Sequence, residues 1–376
     1  MAITRRTMLG SAALVTSGVL LPRRVSWAVP DPAAELRDLS AHVMSKGPHG
    51  ETPSPVSAAA LSADEIAKIK AMNATAAIVM HYGGNDWSRA QIEGLKARFG
   101  ELNIRVIAVT DAGFKPERQV SDIETVLAKH PGIIVSIPTD PVATADAYRR
   151  AAAQGVKLVF MDNVPKGMEA GKDYVSVVSA DNYGNGVAAG LLMAQALKEK
   201  GKVGLVYHAA DFFVTRQRYE AVKKTLGEFP GIKIIAQQGI GGPDFSGDAE
   251  KVASAMLTSR PDINGIWAVW DVPAEGVISA ARTAGRDDLI ITTCDLGVNV
   301  AIDMAQKGYV KGLGAQRPYD QGTTEANLSG FGLLGKAAPP YVALPALPVT
   351  RANLLQAWQD VYHAPAPKDV QVSMKS

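Results

Sequence analysis

The sequence predicts an α/β fold of two doubly wound parallel-sheet lobes, and three observations carry that expectation. From Ala76 onward, apolar runs of about five to seven residues alternate with amphipathic segments of about ten to eighteen, the pattern of βα units on a parallel sheet. The alternation falls into two similar series, which points to two sheets instead of one long one. Length agrees, since 376 residues exceed one ordinary core and favour about two or three domains.

The amino terminus stands apart from this pattern. Arg5-Arg6 precede an apolar run, Met8 to Leu21, that is too short to span a bilayer of roughly 30 Å as a helix. It reads as a signal peptide, the competing reading being a membrane anchor. Ser26-Trp27-Ala28 puts small residues where a signal peptidase needs them, so cleavage is expected after Ala28. Thr4–Leu9 resembles the twin-arginine export motif, with Met8 where that motif usually has Phe. Arg23-Arg24, between the apolar run and the cleavage site, suit the twin-arginine route better than general secretion. Residues 29–72, rich in proline and small residues, are expected to form a partly loose extension with a short helix at 63–71.

Removing residues 1–28 takes Lys+Arg from 39 to 35 against 37 acids, leaving a net charge near −2. That balance argues against a basic nucleic-acid surface. Cys294 is the single cysteine, so neither an internal disulfide nor a cysteine-based zinc site is available. No stretch beyond the first apolar run approaches eighteen apolar residues, and a soluble extracytoplasmic protein is expected.

The first series places strands at 76–80, 105–109, 132–137, 156–161 and 175–178, with helices at 87–99, 116–129 and 142–154. Pro116 suits a first helical turn. The helix at 184–200 opens on glycines after Asp181-Asn182. The second series places strands at 203–207, 232–236, 265–269, 290–293 and 310–313, with helices at 215–229, 247–259, 274–284, 298–307 and 319–335. Residues 339–348 are too proline-rich for a central strand and read as an edge or crossing segment. A last amphipathic segment covers 351–362, and the final ten residues are expected to be mobile.

Polar groups recur just after the strands: His81 and Asn85-Asp86-Trp87, Asp162-Asn163, His208, Trp270-Asp271, Asp295 and Gln316-Arg317. Open parallel sheets bind ligands at the carboxyl ends of their strands. If the two carboxyl edges face one another, carboxylates, amides, an arginine and flat rings line one cleft. Such a mixture suits a small polyhydroxylated solute: amides and carboxylates pair its hydroxyls, and rings cover its C–H faces.

The ordered set Asp162-Asn163, Ser179-Ala180-Asp181-Asn182-Tyr183-Gly184-Asn185-Gly186, Arg216-Gln217-Arg218, Asp295 and Gln316 resembles the ribose-binding-type periplasmic proteins, the type I solute-binding proteins of ABC importers. The resemblance covers roughly residues 74–350. It implies ligand contacts from Asn85, Trp87, Asp162, Asn163, Arg216, Phe245, Asp271, Asp295 and Gln316, to which the strand-end position adds His81. It also implies three crossings between lobes, near Ala180, Gln316 and Leu344, and hinge closure as the working motion. The expected lobes are then 73–179 with 316–344, and 180–315 with 345–376. Departures from the family pattern at Asn163, Ser88, Ala221 and Leu296 set aside a ribose assignment.

Ordinary structural roles compete at each position. Asp162 and Asp295 suit helix caps or turns, and Trp87, Phe245 and Trp270 suit a core. Arg218 reads as a solvated helix residue, Asp181 as the cap of the helix that follows it, and Cys294 as a buried inert thiol. Gly330–Ala337 nearly spells a phosphate loop but lacks its final Ser or Thr, and neither an HExxH pair nor a GxSxG elbow occurs. The expectation is therefore a monomeric receptor with no cofactor, no metal and no catalysis, which hands a sugar or polyol to a membrane permease. A sensory receptor and an exported enzyme are the alternatives.

Overall fold

A computed structural model describes residues 31–375. The expected signal peptide and its cleavage site lie outside the described residues. The described chain opens with α1 (Pro32–Asp38), capped by Asp31, and a short 3-10 turn, Val56–Ala59. It continues through α2 (Ala63–Met72), which starts on a capping box between Ser62 and Glu65.

The first lobe then runs through β1 (Thr75–Met80), α3 (Asp86–Glu101), β2 (Arg105–Asp111), α4 (Pro116–Leu127), β3 (Ile133–Ser136), α5 (Ala145–Ala153), β4 (Lys157–Met161) and β5 (Ser176–Ala180). The second follows with α6 (Asn182–Ala196), β6 (Gly201–His208), α7 (Phe213–Gly227), β7 (Ile232–Ile240), α8 (Phe245–Ser259), β8 (Gly265–Ala268), α9 (Asp271–Thr283), β9 (Ile290–Cys294), α10 (Val298–Ala305) and β10 (Val310–Ala315). The chain ends with α11 (Pro318–Leu334), β11 (Tyr341–Leu344), β12 (Leu347–Val349), α12 (Leu354–Tyr362) and α13 (Lys368–Ser373).

The strands form two six-stranded sheets of matching order, β2-β1-β3-β4-β5-β11 and β7-β6-β8-β9-β10-β12. Every pairing is parallel except that of β12 with β10. The exception follows from connectivity. Only Pro345-Ala346 separate β11 from β12, too short a link for a crossover, so the chain enters the second sheet running backwards. The proline-rich 339–348 stretch thus supplies an edge strand to each sheet.

After β10 the chain returns to the first lobe as α11, which lies directly on α3. Glycine makes that approach possible: a Cβ on Gly94 would fall 2.2 Å from the Tyr319 carbonyl oxygen, and one on Gly322 would fall 2.4 Å from that of Gln91. Each sheet is covered on both faces, with Phe160, Tyr148 and Phe99 buried in the first lobe and Trp267 and Phe229 in the second. Burying each such side chain contributes about 1.5–3 kcal/mol.

Two expectations need correction. The 29–72 extension is packed where it is described, because its apolar residues are spaced to bury. Leu39 joins the second-lobe core, whereas Ala59 and Ile69 join the first. Between them the chain passes the hinge: Met44 N and Ser45 N donate to Asp181 at 2.8 and 2.9 Å, and Ser45 Oγ donates to Asp181 and to Gln217 Oε1. Beyond it, Ser54 N donates to the Tyr341 carbonyl at the edge of the first sheet. The extension is therefore a fourth segment crossing between the lobes.

The carboxyl terminus is likewise ordered. Val370 of α13 is fully buried, and Arg351 Nη2 donates to the Met374 carbonyl oxygen. Among the described residues no helix is long and apolar enough to cross a membrane.

Candidate functional site

The carboxyl ends of the two parallel sheets face each other, and the loops leaving them line one cavity. Its walls include His81, Asn85, Trp87, Asp162, Asp295 and Gln316 among the sequence-expected residues. Tyr82, Phe114, Ile137, His208, Phe212, Val214, Thr215, Arg218 and Trp270 complete it.

Two aspartates anchor the site through one backbone device used twice. Asp162 follows β4 and Asp295 follows β9, and both adopt left-handed backbone, with φ of 54° and 64°. Each N–H bonds the neighbouring strand: Asp162 N to the Val178 carbonyl at 2.8 Å, Asp295 N to that of Gly314 at 2.9 Å. Non-glycine residues seldom hold this conformation, which costs of order 1–3 kcal/mol and concentrates at functional sites. Here it turns each carboxylate off the end of its strand toward the cleft.

From Asp295 a hydrogen-bonded network runs back to Asp162. Arg218 grips Asp295 with two parallel bonds, Nη1 to Oδ2 at 2.9 Å and Nη2 to Oδ1 at 3.1 Å. Nη1 also donates to the Val269 carbonyl, and Nε donates to Asn182 Oδ1 at 3.1 Å. Asn182 Nδ2 continues to Ser179 Oγ, which donates to Asp162 Oδ1. Gln316 Nε2 completes the cluster with 3.0 Å to Asp295 Oδ1. Asn182 is thus more than part of a lobe boundary: it ties the two aspartates into one network.

Burial dominates the electrostatics. Asp162 is pushed up to about 6 by desolvation, opposed by the Ser179 hydroxyl and the Arg218 charge. Desolvation lowers His81 to about 3, with a smaller push from His208, and lowers His208 to about 4. Both rings are therefore neutral at physiological pH and belong to an aromatic box. His81 stands edge-on to Phe114 at 4.7 Å and stacks on Phe212 at 5.7 Å, and Tyr82 stacks on Phe114 at 5.1 Å.

The lobes touch across the cleft, so this is the closed arrangement. Phe212 and Val214, from the loop after β6 and the start of α7, pack into the first-lobe core. Asp86, the first residue of α3, accepts from Val298 N at the start of α10 at 2.8 Å.

Four sequence-expected residues do not line the cavity. Arg216 pairs with Asp211 and its side chain is 50% exposed, so the arginine of the site is Arg218 instead. A helix advances about 100° per residue, which puts residues two apart on nearly opposite faces. Arg218 shares its face with Val214, Ala221, Val222 and Thr225, all buried, whereas Arg216 shares its face with Glu220 and Lys223. That signal was available in the sequence.

Asn163 turns away and donates to the Pro138 carbonyl oxygen at 3.0 Å. Asp271 opens α9, accepts from Val272 N, and sits behind the cleft against Gly297, where a Cβ would meet its Oδ2 at 2.2 Å. Burial and then Asp295 hold its pKa well above the carboxylate range. Phe245 backs the wall, 4.9 Å from the Trp270 ring and 5.6 Å from that of His208. Among the described residues no group of three His, Cys, Asp or Glu side chains could hold a metal ion.

Comparison with known proteins places this geometry in a family. Residues 76–328 match the model described as a periplasmic binding protein domain. The D-ribose/D-allose-binding protein of Pseudomonas aeruginosa is 30% identical over 216 residues, 56% of this chain and 66% of that protein. The ribose import binding protein RbsB of Escherichia coli strain K12 is 25% identical over 241 residues, 64% of this chain and 78% of its own length. Among solved structures, an ABC sugar transporter subunit from Rhodobacter sphaeroides superposes with a TM-score of 0.65 at 26% identity, covering 98% of that chain and 74% of this one.

Proposed function

The chain belongs to the periplasmic binding protein family, and from that premise we propose that it is an exported receptor for a sugar or polyol. In this reading it closes two lobes on its solute, acts as a monomer in the periplasm, and delivers the solute to the membrane permease of an ABC importer. The family is one of solute-binding proteins, and no catalytic role is assigned to this chain.

One observation carries the reading: the Arg218–Asp295 pair and Asp162 sit on facing strand ends, linked through Asn182 and Ser179 at the point where the chain passes between lobes. Hydroxyls of a solute in the cleft would bond to groups of both lobes at once. Those bonds favour the closed state over the open one, which is the signal a transporter reads. The hinge is assigned to the crossings at 181, 316–317 and 345–346. Relatives that bind ribose, allose or apiose and serve import support the ligand class and the permease partner.

The test is a melting-temperature screen of the mature protein against pentoses, hexoses and polyols. Binding stabilises by RT ln(1 + [L]/Kd), about 2.7 kcal/mol at 100 Kd, which raises Tm by several degrees. A clear shift with one of these solutes is expected, and none with any of them would overturn the assignment.

A further inference from the structure

The crossings between lobes lie at one edge of the paired sheets, and rings close the opposite edge. The chain crosses after β5, β10 and β11, which sit toward one end of the strand orders, whereas β2-β1 and β7-β6 form the other end. From that far edge come Phe114 after β2, His81 and Tyr82 after β1, His208 and Phe212 after β6, and Phe245 at the start of α8 after β7. These residues therefore form the mouth of the cleft, farthest from the hinge.

Across this mouth, rings of one lobe touch rings of the other. Phe114 meets Phe245 at 5.3 Å and both Phe212 and His208 at 6.3 Å, and His81 stacks on Phe212 with ring planes 12° apart. Phe114 has left-handed backbone, with φ of 59°, and its N–H donates to the His81 carbonyl oxygen at 2.7 Å. A bulky residue seldom keeps that conformation, which here turns the ring toward the other lobe. Each contact is protein against protein and takes apolar surface out of water, so it favours closure whatever the cleft holds.

Two of these rings can gain a proton, one in each lobe. Neither has a carboxylate partner: His208 Nδ1 lies 3.2 Å from the Thr215 hydroxyl, and His81 Nδ1 has no hydrogen bond. The acids on the elements packed around them are engaged elsewhere. Asp86 accepts from Arg89 and Val298 N, Asp111 from Gly113 N, Asp244 from Gly247 N and Asp248 from Gly242 N. Asp211 pairs with Arg216 and Asp295 with Arg218, while Lys115 beside Phe114 is exposed. On α9, burial raises both Asp271 and Glu275. Desolvation lowers His81 to about 3 and His208 to about 4, against about 6.5 for a solvated ring. A ring whose proton affinity falls on closing favours the closed state fully above about pH 6.5, and that advantage is lost as pH falls toward the lowered values. Asp162, raised to about 6, acts in the opposite direction.

We propose that the mouth is an acid-released latch: its rings hold the lobes together at neutral pH, and protonation of His81 and His208 parts them and frees the solute. This rests on the hinged closure of the receptor reading and not on which solute binds.

The experiment measures fluorescence energy transfer between the lobes of the solute-free mature protein. Dyes insensitive to pH are carried on Arg118→Cys of α4 and Lys251→Cys of α8, both exposed positions, and the buried Cys294 stays unlabelled. At pH 7.5 transfer should be high. Below about pH 6 the closed-to-open ratio should fall by roughly tenfold per pH unit, two histidines outweighing one carboxylate. His81→Phe with His208→Phe keeps the rings and removes the charge, so transfer should stay high to pH 5 while circular dichroism reports a folded protein. If that pair does not fold, His208→Phe alone, at a half-buried position, should flatten the response. Phe114→Ser should lower transfer already at pH 7.5. Low transfer in the wild type at pH 7.5, or high transfer kept down to pH 5, would overturn the latch and leave the sugar receptor standing. An equal pH response with and without the histidines would overturn their role in it. Failure of the solute screen would overturn the receptor reading alone, because transfer is read without solute.

Discussion

The two lobes share one topology and one device at the site, yet they use it differently. Asp162 and Asp295 occupy equivalent strand ends with the same left-handed backbone. Asp295 is clamped by Arg218 and Gln316, so its geometry is set by the protein before a solute arrives. Asp162 has a serine hydroxyl and no direct cation, and burial lifts its pKa to about 6. The second lobe thus presents a carboxylate held by its own arginine, whereas the first presents a buried carboxylate with no cation of its own. A repeated fold supplies repeated positions, and the chemistry at each position depends on what the neighbouring helix sends to it. α7 brings Arg218 to the second lobe, and no first-lobe helix brings a cation to Asp162.

Four substitutions test that contrast, and the largest effect is expected where the wall is most rigid. Arg218→Ala leaves the Asp295 carboxylate buried without its partner, which should cost about 3–5 kcal/mol in urea denaturation and abolish solute-dependent stabilisation. A loss below about 1 kcal/mol would mean that the second-lobe wall is not held by this pair.

Asp162→Asn probes the opposite wall through pH. With a folded-state pKa raised to about 6, the folded protein keeps a proton that the unfolded chain releases near 3.8. Wild-type stability is therefore lost as pH rises through that window, and the Asp162→Asn variant should escape the loss. The stability difference between the two should move in the variant's favour by on the order of 3 kcal/mol between pH 4 and pH 8. An equal pH dependence in both proteins would remove Asp162 as a desolvated acid.

Ser45→Ala acts on the link between the lobes. It removes a hydroxyl that donates to Asp181 and Gln217 and accepts from Tyr183 N, and it should lower thermal stability by about 1–2 kcal/mol. Solute affinity should change with it, because the strap crosses the hinge; unchanged affinity would make the strap purely structural.

Arg216→Ala should matter least. Its exposed pair with Asp211 contributes within about 0.5 kcal/mol, and affinity should be unaltered. A tenfold loss of affinity would restore Arg216 to the site in place of Arg218.

Much of this was legible in the chain. Hydrophobic periodicity located the strands and helices of the two βα series to within a few residues, because side-chain period is fixed by local backbone geometry. Groups placed just after the apolar runs named eight of the residues that line the cavity, because a strand's end is where its loop must begin. Even the difference between Arg216 and Arg218 was written in the helical face, because a rotation of about 100° per residue sets positions two apart on nearly opposite sides.

Other features were decided only by the tertiary structure. Phe212 and Val214 belong by sequence to the second lobe but bury in the first, an outcome that depends on how the lobes close. Ile137 has the composition of any strand residue, and its place on the cavity wall follows from β3 lying between β1 and β4. The strap through Ser45 joins residues more than a hundred positions apart. Sequence period reports what a residue does within its own element, and non-local pairing decides which elements meet. The sequence by itself therefore determined two sheets and an aspartate at a strand end of each, and the packing of those sheets determined which groups line the cavity.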